Sequence, residues 1–232
     1  MSKINVEIWS DIACPYCYIG KRKFEQALTR FAQASDVEII WHSYELNPSL
    51  PKGNNNGSWV DYMKKLTGGS TESVNAKAAG LTQLAKEVGL DYHLDKTIIT
   101  NTSDALRLVK LAKETGKADA AEEMLFKAYF VDGKDISDPA FLLETAEHLG
   151  ITRTDAEALL DSEKYRDEIA EDIDFSENQL SLEYIPFYRI NNRITIEGSL
   201  AVDEYVNALE AAVAGNDANF SGQSCSIDGV CS

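Results

Sequence analysis

Strand-like patterning stops at Trp41 and does not return until Phe187, and this gap limits the chain to few architectures. Before it, Ile4 to Trp9 alternates. Ile4, Val6 and Ile8 fall on one side and Asn5, Glu7 and Trp9 on the other, which predicts a strand. Ser10-Asp11-Ile12-Ala13 turns the chain. From Tyr16 to Ala34 the period becomes helical, with Ile19, Phe24, Ala27, Leu28 and Phe31 on one face. Val37 to Trp41 predicts a second strand. After the gap, Phe187–Ile190 and Arg193–Glu197 flank Asn191-Asn192, a two-residue turn of hairpin type, and Val202–Ala214 predicts a last helix.

The gap itself holds only helical patterns. They cover Trp59–Leu66, Glu72–Val88, Ser103–Thr115 and Ala118–Val131. A further helix opens at Asp138-Pro139, an N-cap followed by proline at the first helical position, and runs to Leu149. Thr154 is expected to cap a short helix, and Ser162 to begin one reaching Asn178. The order βαβ, helical block, ββα predicts an α/β fold interrupted by an all-helical insertion. Residues 1–55 and 180–215 would form the α/β domain and 56–179 the insertion. Residues 216–232, rich in Asn, Ser, Gly and Asp, are expected to be a flexible tail carrying the second cysteine pair.

Composition narrows the function classes. With 44% apolar residues the chain has material for a core. A net charge of -16 argues against a phosphate-backbone partner and against an anionic membrane surface. No apolar run approaches the roughly 18 residues of a membrane-spanning helix. The N-terminal segment lacks a signal-peptide apolar stretch, so the expected location is cytoplasmic, where a disulfide framework is not expected. The four cysteines fall into two close pairs, 14/17 and 225/231, a pattern of redox or metal chemistry rather than stapling.

Cys14-Pro15-Tyr16-Cys17 lies between a strand and a helix. Cys14 at a helix N-terminus meets unsatisfied N–H groups and the positive end of the dipole, which favour the thiolate that attacks disulfides. Pro15 suits the first helical position, and Cys17, on the same side of the first turn, can attack a mixed disulfide formed at Cys14. The bland reading is a structural or metal-binding pair. Cys225 and Cys231 have five residues between them, outside the usual zinc spacing, on a segment with Gly229 that can close a disulfide. They read either as a second redox pair exchanging with Cys14 and Cys17 or as incidental exposed thiols. Pro186 taken alone is a strand-start proline. His42, His93 and His148 are dispersed, which leaves a Cys–His hydrolase without support.

The Cys-Pro-aromatic-Cys motif after a first strand, the helical insertion and Ile185-Pro186-Phe187 before a terminal ββα together resemble the DsbA family. The closer resemblance is to its FrnE-like subfamily of cytoplasmic relatives. It rests on Trp9 to Gly20, Tyr44 to Pro48, Asn101 to Ala105, Leu125 to Phe130 and Asp135 to Pro139, and covers residues 3 to 213. It implies a thioredoxin-like fold and thiol–disulfide exchange without metal or organic cofactor. Cys14 would attack and Cys17 resolve. Pro186 would be the cis-proline facing them, and the Ile185 backbone would pair with a bound substrate strand beside Pro15 and Tyr16. Related enzymes carry a buried acid near Glu7 as proton acceptor for the resolving thiol, against the plainer reading of Glu7 on an exposed face. The implied partners are a protein or small-molecule thiol or disulfide and a reducing or oxidising thiol partner. Tyr184 departs from the subfamily, where glycine often stands, and Leu106 stands where histidine often follows Asp-Ala. Two other classes stay open. Glutathione-dependent isomerases or transferases such as the 2-hydroxychromene-2-carboxylate isomerases share the fold but usually lack the second motif cysteine. A non-catalytic metal-binding or accessory module is the other.

Overall fold

The computed structural model describes residues 3–53, 56–226 and 229–231. Asn54 and Asn55 of the expected loop, and Ile227, Asp228 and Ser232 of the expected tail, lie outside the described residues. The chain divides into two units, residues 1–44 with 172–232, and residues 45–171. The helical unit thus starts earlier, and ends earlier, than the 56–179 expected from loop chemistry.

In the first unit, β1 (Ile4–Ser10) leads through a short turn into α1 (Pro15–Arg30), and β2 (Val37–Ser43) follows. After the insertion come β3 (Tyr184–Ile185), β4 (Phe187–Ile190), β5 (Ile194–Glu197), a C-terminal helix (Val202–Val213), β6 (Ala218–Ser221) and β7 (Cys225–Ser226). The main sheet has the order β2-β1-β4-β5-β6. β1 runs parallel to β2 and antiparallel to β4, and β5 runs parallel to β6. The alternation in β1 decides what each face meets. Val6 and Ile8 are buried on one face. There Tyr188, opposite Ile8 in register, packs on Phe24 of α1 and Tyr205 of the C-terminal helix, with ring centroids 5.6 and 5.2 Å away. On the other face Trp9 stacks on His42 at 4.4 Å and donates its indole N–H to the Asp172 carbonyl at 3.1 Å.

The hairpin departs from expectation by one residue. Ile190 pairs with Ile194, so the connection has three residues rather than two, with Arg193 outside the ladder. Asn191 and Asn192 take φ of 50° and 59°, a region asparagine tolerates, and the Arg193 N–H closes the turn on the Ile190 carbonyl at 3.0 Å.

The segment expected to be a flexible tail is built into sheets. β6 adds a fifth strand to the main sheet, and β7 pairs antiparallel with β3 in a separate two-stranded sheet. Its polar, glycine-containing composition concealed this, because backbone ladders form without an apolar face. Gly222 donates its N–H to the Glu197 carbonyl at 2.7 Å, and Ser199 donates to the Gln223 carbonyl at 2.7 Å. The approach is so close that a Cβ on Gly222 would lie 2.3 Å from the Ser199 oxygen.

The second unit contains α2 (Trp59–Thr67), α3 (Thr71–Glu87), α4 (Ser103–Lys113), α5 (Ala118–Phe130), α6 (Pro139–His148) and α7 (Arg153–Leu160). The boundary with the first unit falls inside α8 (Arg166–Asn178). Two starts differ from the sequence reading. The cap of α7 is Thr152, whose side chain accepts the Asp155 N–H at 3.1 Å, while Thr154 lies inside the helix. α8 begins at Arg166 rather than Ser162, because Tyr165 takes φ 70° and the Ser162 and Lys164 carbonyls turn onto the buried Arg107 guanidinium at 2.5 and 2.8 Å. Arg107 also donates to Asp104 at 2.9 Å, and Asp104 pairs with Lys52. Burial raises the Asp104 carboxyl, but the hydrogen bonds and charges of Lys52 and Arg107 outweigh it and hold the group below its ordinary range. Among the described residues no helix is long and apolar enough to cross a membrane.

Candidate active site

The turn after β1 sets the first cysteine. The Cys14 N–H donates to the Asp11 carbonyl at 3.0 Å, and Cys14 becomes the N-cap of α1 with φ −86° and ψ 113°. Pro15 occupies the first helical position, where a missing N–H leaves no carbonyl unpaired. The first turn of α1 carries no acidic residue. One turn on, the Cys17 N–H donates to the Cys14 carbonyl at 3.1 Å. Both cysteines are free thiols and buried, with Cys14 0% and Cys17 2% exposed.

The opposite wall of the site comes from the far end of the chain. The Ile185–Pro186 peptide bond is cis. The Ile185 carbonyl accepts the Cys14 thiol at an Sγ–O distance of 3.8 Å, so residues 171 positions apart in sequence meet here. Pro186 also lies against α1, its Cγ 3.2 Å from where a Gly20 Cβ would stand. Tyr16 is buried beside Cys14; burial first, and then the Cys14 charge, raise its phenol.

Burial pushes the Cys17 thiol well above its ordinary range, and the neighbouring Cys14 pushes the same way. The Ser10 hydroxyl and the Asp11 backbone act in the opposite sense and do not offset it. Behind Cys17 stand Tyr188 and Tyr205, fully buried, whose phenols burial also raises. The sequence reading missed Ser10, Tyr188 and Tyr205. Ser10 reads as a turn residue, and the two tyrosines fall inside an expected strand and an expected helix with no local signal of a role.

Glu7 is not at this site, which corrects the expectation that it serves Cys17. It lies on the Trp9 face of β1, not on the Ile8 face where α1 packs. Arg189, directly opposite it in β4, grips it with two hydrogen bonds of 2.7 and 2.8 Å. His42 Nε2 stands 3.4 Å from the same carboxylate, and its Nδ1 is 2.7 Å from Asp172. Strand alternation had already put Glu7 and Ile8 on opposite sides; only the register with β4 reveals the arginine partner.

Of the second cysteine pair, Cys225 pairs with a residue of the site. Cys225 and Cys231 form a disulfide with Cα atoms 3.9 Å apart. Cys225 is fully buried and pairs in register with Ile185, the residue whose carbonyl faces Cys14. The first unit thus gathers Cys14, Cys17, Ile185, Pro186 and Cys225, and leaves Glu7 on the other face of the sheet. Among the described residues no group of three or more His, Cys, Asp or Glu is arranged to hold a metal ion.

Known proteins share this fold. The chain superposes on the crystal structure of a probable DsbA oxidoreductase, SCO1869 from Streptomyces coelicolor, with a TM-score of 0.86. That match has 29% identity and covers 99% of this chain and 98% of the other. The cytosolic disulfide reductase DsbM from Pseudomonas aeruginosa matches with a TM-score of 0.60 at 16% identity, over 90% of this chain and 98% of that one; at that identity the likeness concerns the fold. Uncharacterized protein YwbO of Bacillus subtilis (strain 168) is 22% identical over 209 residues, 89% of this chain and 96% of that protein. The thioredoxin-like fold with a helical insertion is therefore the architecture of this molecule. With the DSBA-like thioredoxin domain matching residues 5–210, the chain belongs to that family.

Proposed function

We propose that the protein is a thiol–disulfide oxidoreductase acting on protein or small-molecule substrates through Cys14 and Cys17. The observation that carries this reading is Cys14 at the N-terminus of α1, its sulfur facing the Ile185 carbonyl beside Pro186. In the reductive direction the Cys14 thiolate attacks one sulfur of a substrate disulfide. A Cys14–substrate disulfide forms and the other substrate sulfur leaves as a thiolate. Cys17 gives up its proton to a departing sulfur and attacks Cys14, which releases the second substrate thiol and leaves a Cys14–Cys17 disulfide. A dithiol partner restores both thiols and is itself oxidised; the oxidative direction is the reverse.

The raised Cys17 thiol supports this division of labour, since a protonated resolving thiol does not compete with Cys14 for the first attack. Cys225 and Cys231 serve, in this reading, as a second redox pair: their disulfide is exchanged with the Cys14 and Cys17 thiols, and the register of Cys225 with Ile185 supports that role. The proposed location is cytoplasmic, where a dithiol reductant is at hand. The presence of Cys17 supports the oxidoreductase reading over a glutathione-dependent isomerase of the same fold. The test is insulin reduction with a dithiol donor. Cys14→Ser abolishes turnover, and Cys17→Ser accumulates a mixed disulfide at Cys14. Undiminished turnover in Cys14→Ser, or glutathione-dependent isomerisation surviving in Cys17→Ser, refutes the assignment.

A further inference from the structure

The edge of Ile185 is already occupied. Under the reading above, an extended substrate strand pairs there; in the structure Cys225 of the chain's own C-terminal segment holds that register, with Ser226 opposite Tyr184. The segment is fastened on both sides of this point. Upstream, β6 lies along β5, Gly222 and Gln223 are hydrogen-bonded to Glu197 and Ser199, and Gly222 is packed onto the Ser199 backbone. Downstream, the Ser226 N–H donates to the Val230 carbonyl at 2.8 Å and a disulfide joins Cys225 to Cys231. Nothing of this follows from the tail's composition, which offers no apolar stripe to drive docking.

We infer that residues 222–226 are a tethered competitor, filling the Ile185 edge as a substrate strand does, so that an external peptide binds only by displacing them. This rests on the reading of Ile185 as the substrate edge. By the rule for short flexible linkers, taken as a lower bound for this fastened segment, the strand is held at an effective concentration of about 1 mM. Where that concentration exceeds the strand's own dissociation constant by about tenfold, the apparent affinity of an external strand falls about tenfold. The disulfide adjusts the competition. A dithiol that reduces Cys225–Cys231 becomes a disulfide itself and leaves two thiols on the tail. The tail then loses the cross-link between Cys225 and Cys231, and its strand competes less well.

The test is binding of a fluorescent, disulfide-closed peptide with the sequence of residues 222–232, read by anisotropy. Every full-length chain used carries Cys14→Ser, so that only non-covalent binding is seen. Gly222→Val drives a side chain into the Ser199 backbone and should bind the peptide about tenfold more tightly than the parent chain. Gln223→Pro, which removes the N–H donated to Ser199, gives a second route to the same result if Gly222→Val does not fold. Cys225→Ser/Cys231→Ser should fall between parent and Gly222→Val. Equal affinity in all folded chains, or no binding by any, overturns the inference. Because this readout needs no turnover, loss of insulin reduction with the binding order intact would refute only the oxidoreductase reading.

Discussion

Replacing Gly20 by alanine sets two known effects against each other inside the site. Gly20 lies in α1, one turn beyond Cys17, and its missing side chain is what allows the helix to approach β4 and Pro186. An added Cβ would stand 2.8 Å from the Tyr188 hydroxyl, 3.2 Å from Pro186 Cγ and 3.3 Å from the Tyr205 hydroxyl. Helix propensity favours alanine by about 1 kcal/mol. Overpacking a filled core costs about 1–3 kcal/mol. The Tyr188 ring cannot swing aside, because Phe24 and Tyr205 hold it and it is fully buried. Overpacking should therefore win, with a net loss of up to about 2 kcal/mol. Tyr188→Phe removes the nearest of the three atoms. In that background Gly20→Ala should cost nothing, or stabilise by up to about 1 kcal/mol. Urea unfolding of the four chains gives the coupling energy, expected at about 1–3 kcal/mol. Insulin reduction should fall in Gly20→Ala, as Pro186 is pushed from Cys14, and recover in the double variant. An equal loss of stability in both backgrounds would refute the steric argument.

Glu7→Gln breaks the paired hydrogen bonds with Arg189 and should cost about 1–3 kcal/mol of stability. Its insulin-reduction rate should stay within about twofold of the parent, since the change lies on the far face of β1; a loss of catalysis with stability preserved would restore Glu7 to the mechanism. Asp104→Ala leaves the buried Arg107 charge without its carboxylate and should cost about 3–5 kcal/mol in urea unfolding. Because the Asp104 carboxyl is held low in the folded state, its contribution is present above the ordinary carboxylate value, about pH 4, and is lost as pH falls through the lowered one. The parent should therefore lose stability on acidification more steeply than Asp104→Ala; parallel pH profiles would contradict this. The raised Cys17 thiol works in the other direction. In the reduced chain its contribution is present below the ordinary thiol value, about pH 8.5, and is lost as pH rises through the raised one. Denaturation midpoints of reduced parent and Cys17→Ser, taken across that range, should diverge in slope; identical slopes would count against a perturbed Cys17.

Much of this molecule follows from short-range chemistry. Alternation from Ile4 to Trp9, the Cys14-Pro15 junction, the Asp138-Pro139 cap and the glycines closing successive helices are local signals, and a strand–helix junction places a cysteine at a helix N-terminus wherever it occurs. Those features determined the βαβ opening, the helical insertion, the ββα close and the pair Cys14 and Cys17. Tertiary structure decided the rest. Arg189 meets Glu7 across 182 positions only because β4 lies beside β1 in one register. The Ile185 carbonyl faces Cys14, and Cys225 sits opposite Ile185, through backbone pairing. Pairing of that kind uses N–H and C=O groups that nearly every residue carries, so the side chains of the 218–226 segment leave little trace of it. The cysteines of the tail were visible from the start; that Cys225 pairs with Ile185 was decided by strand register, which is a property of the folded sheet and not of the local sequence.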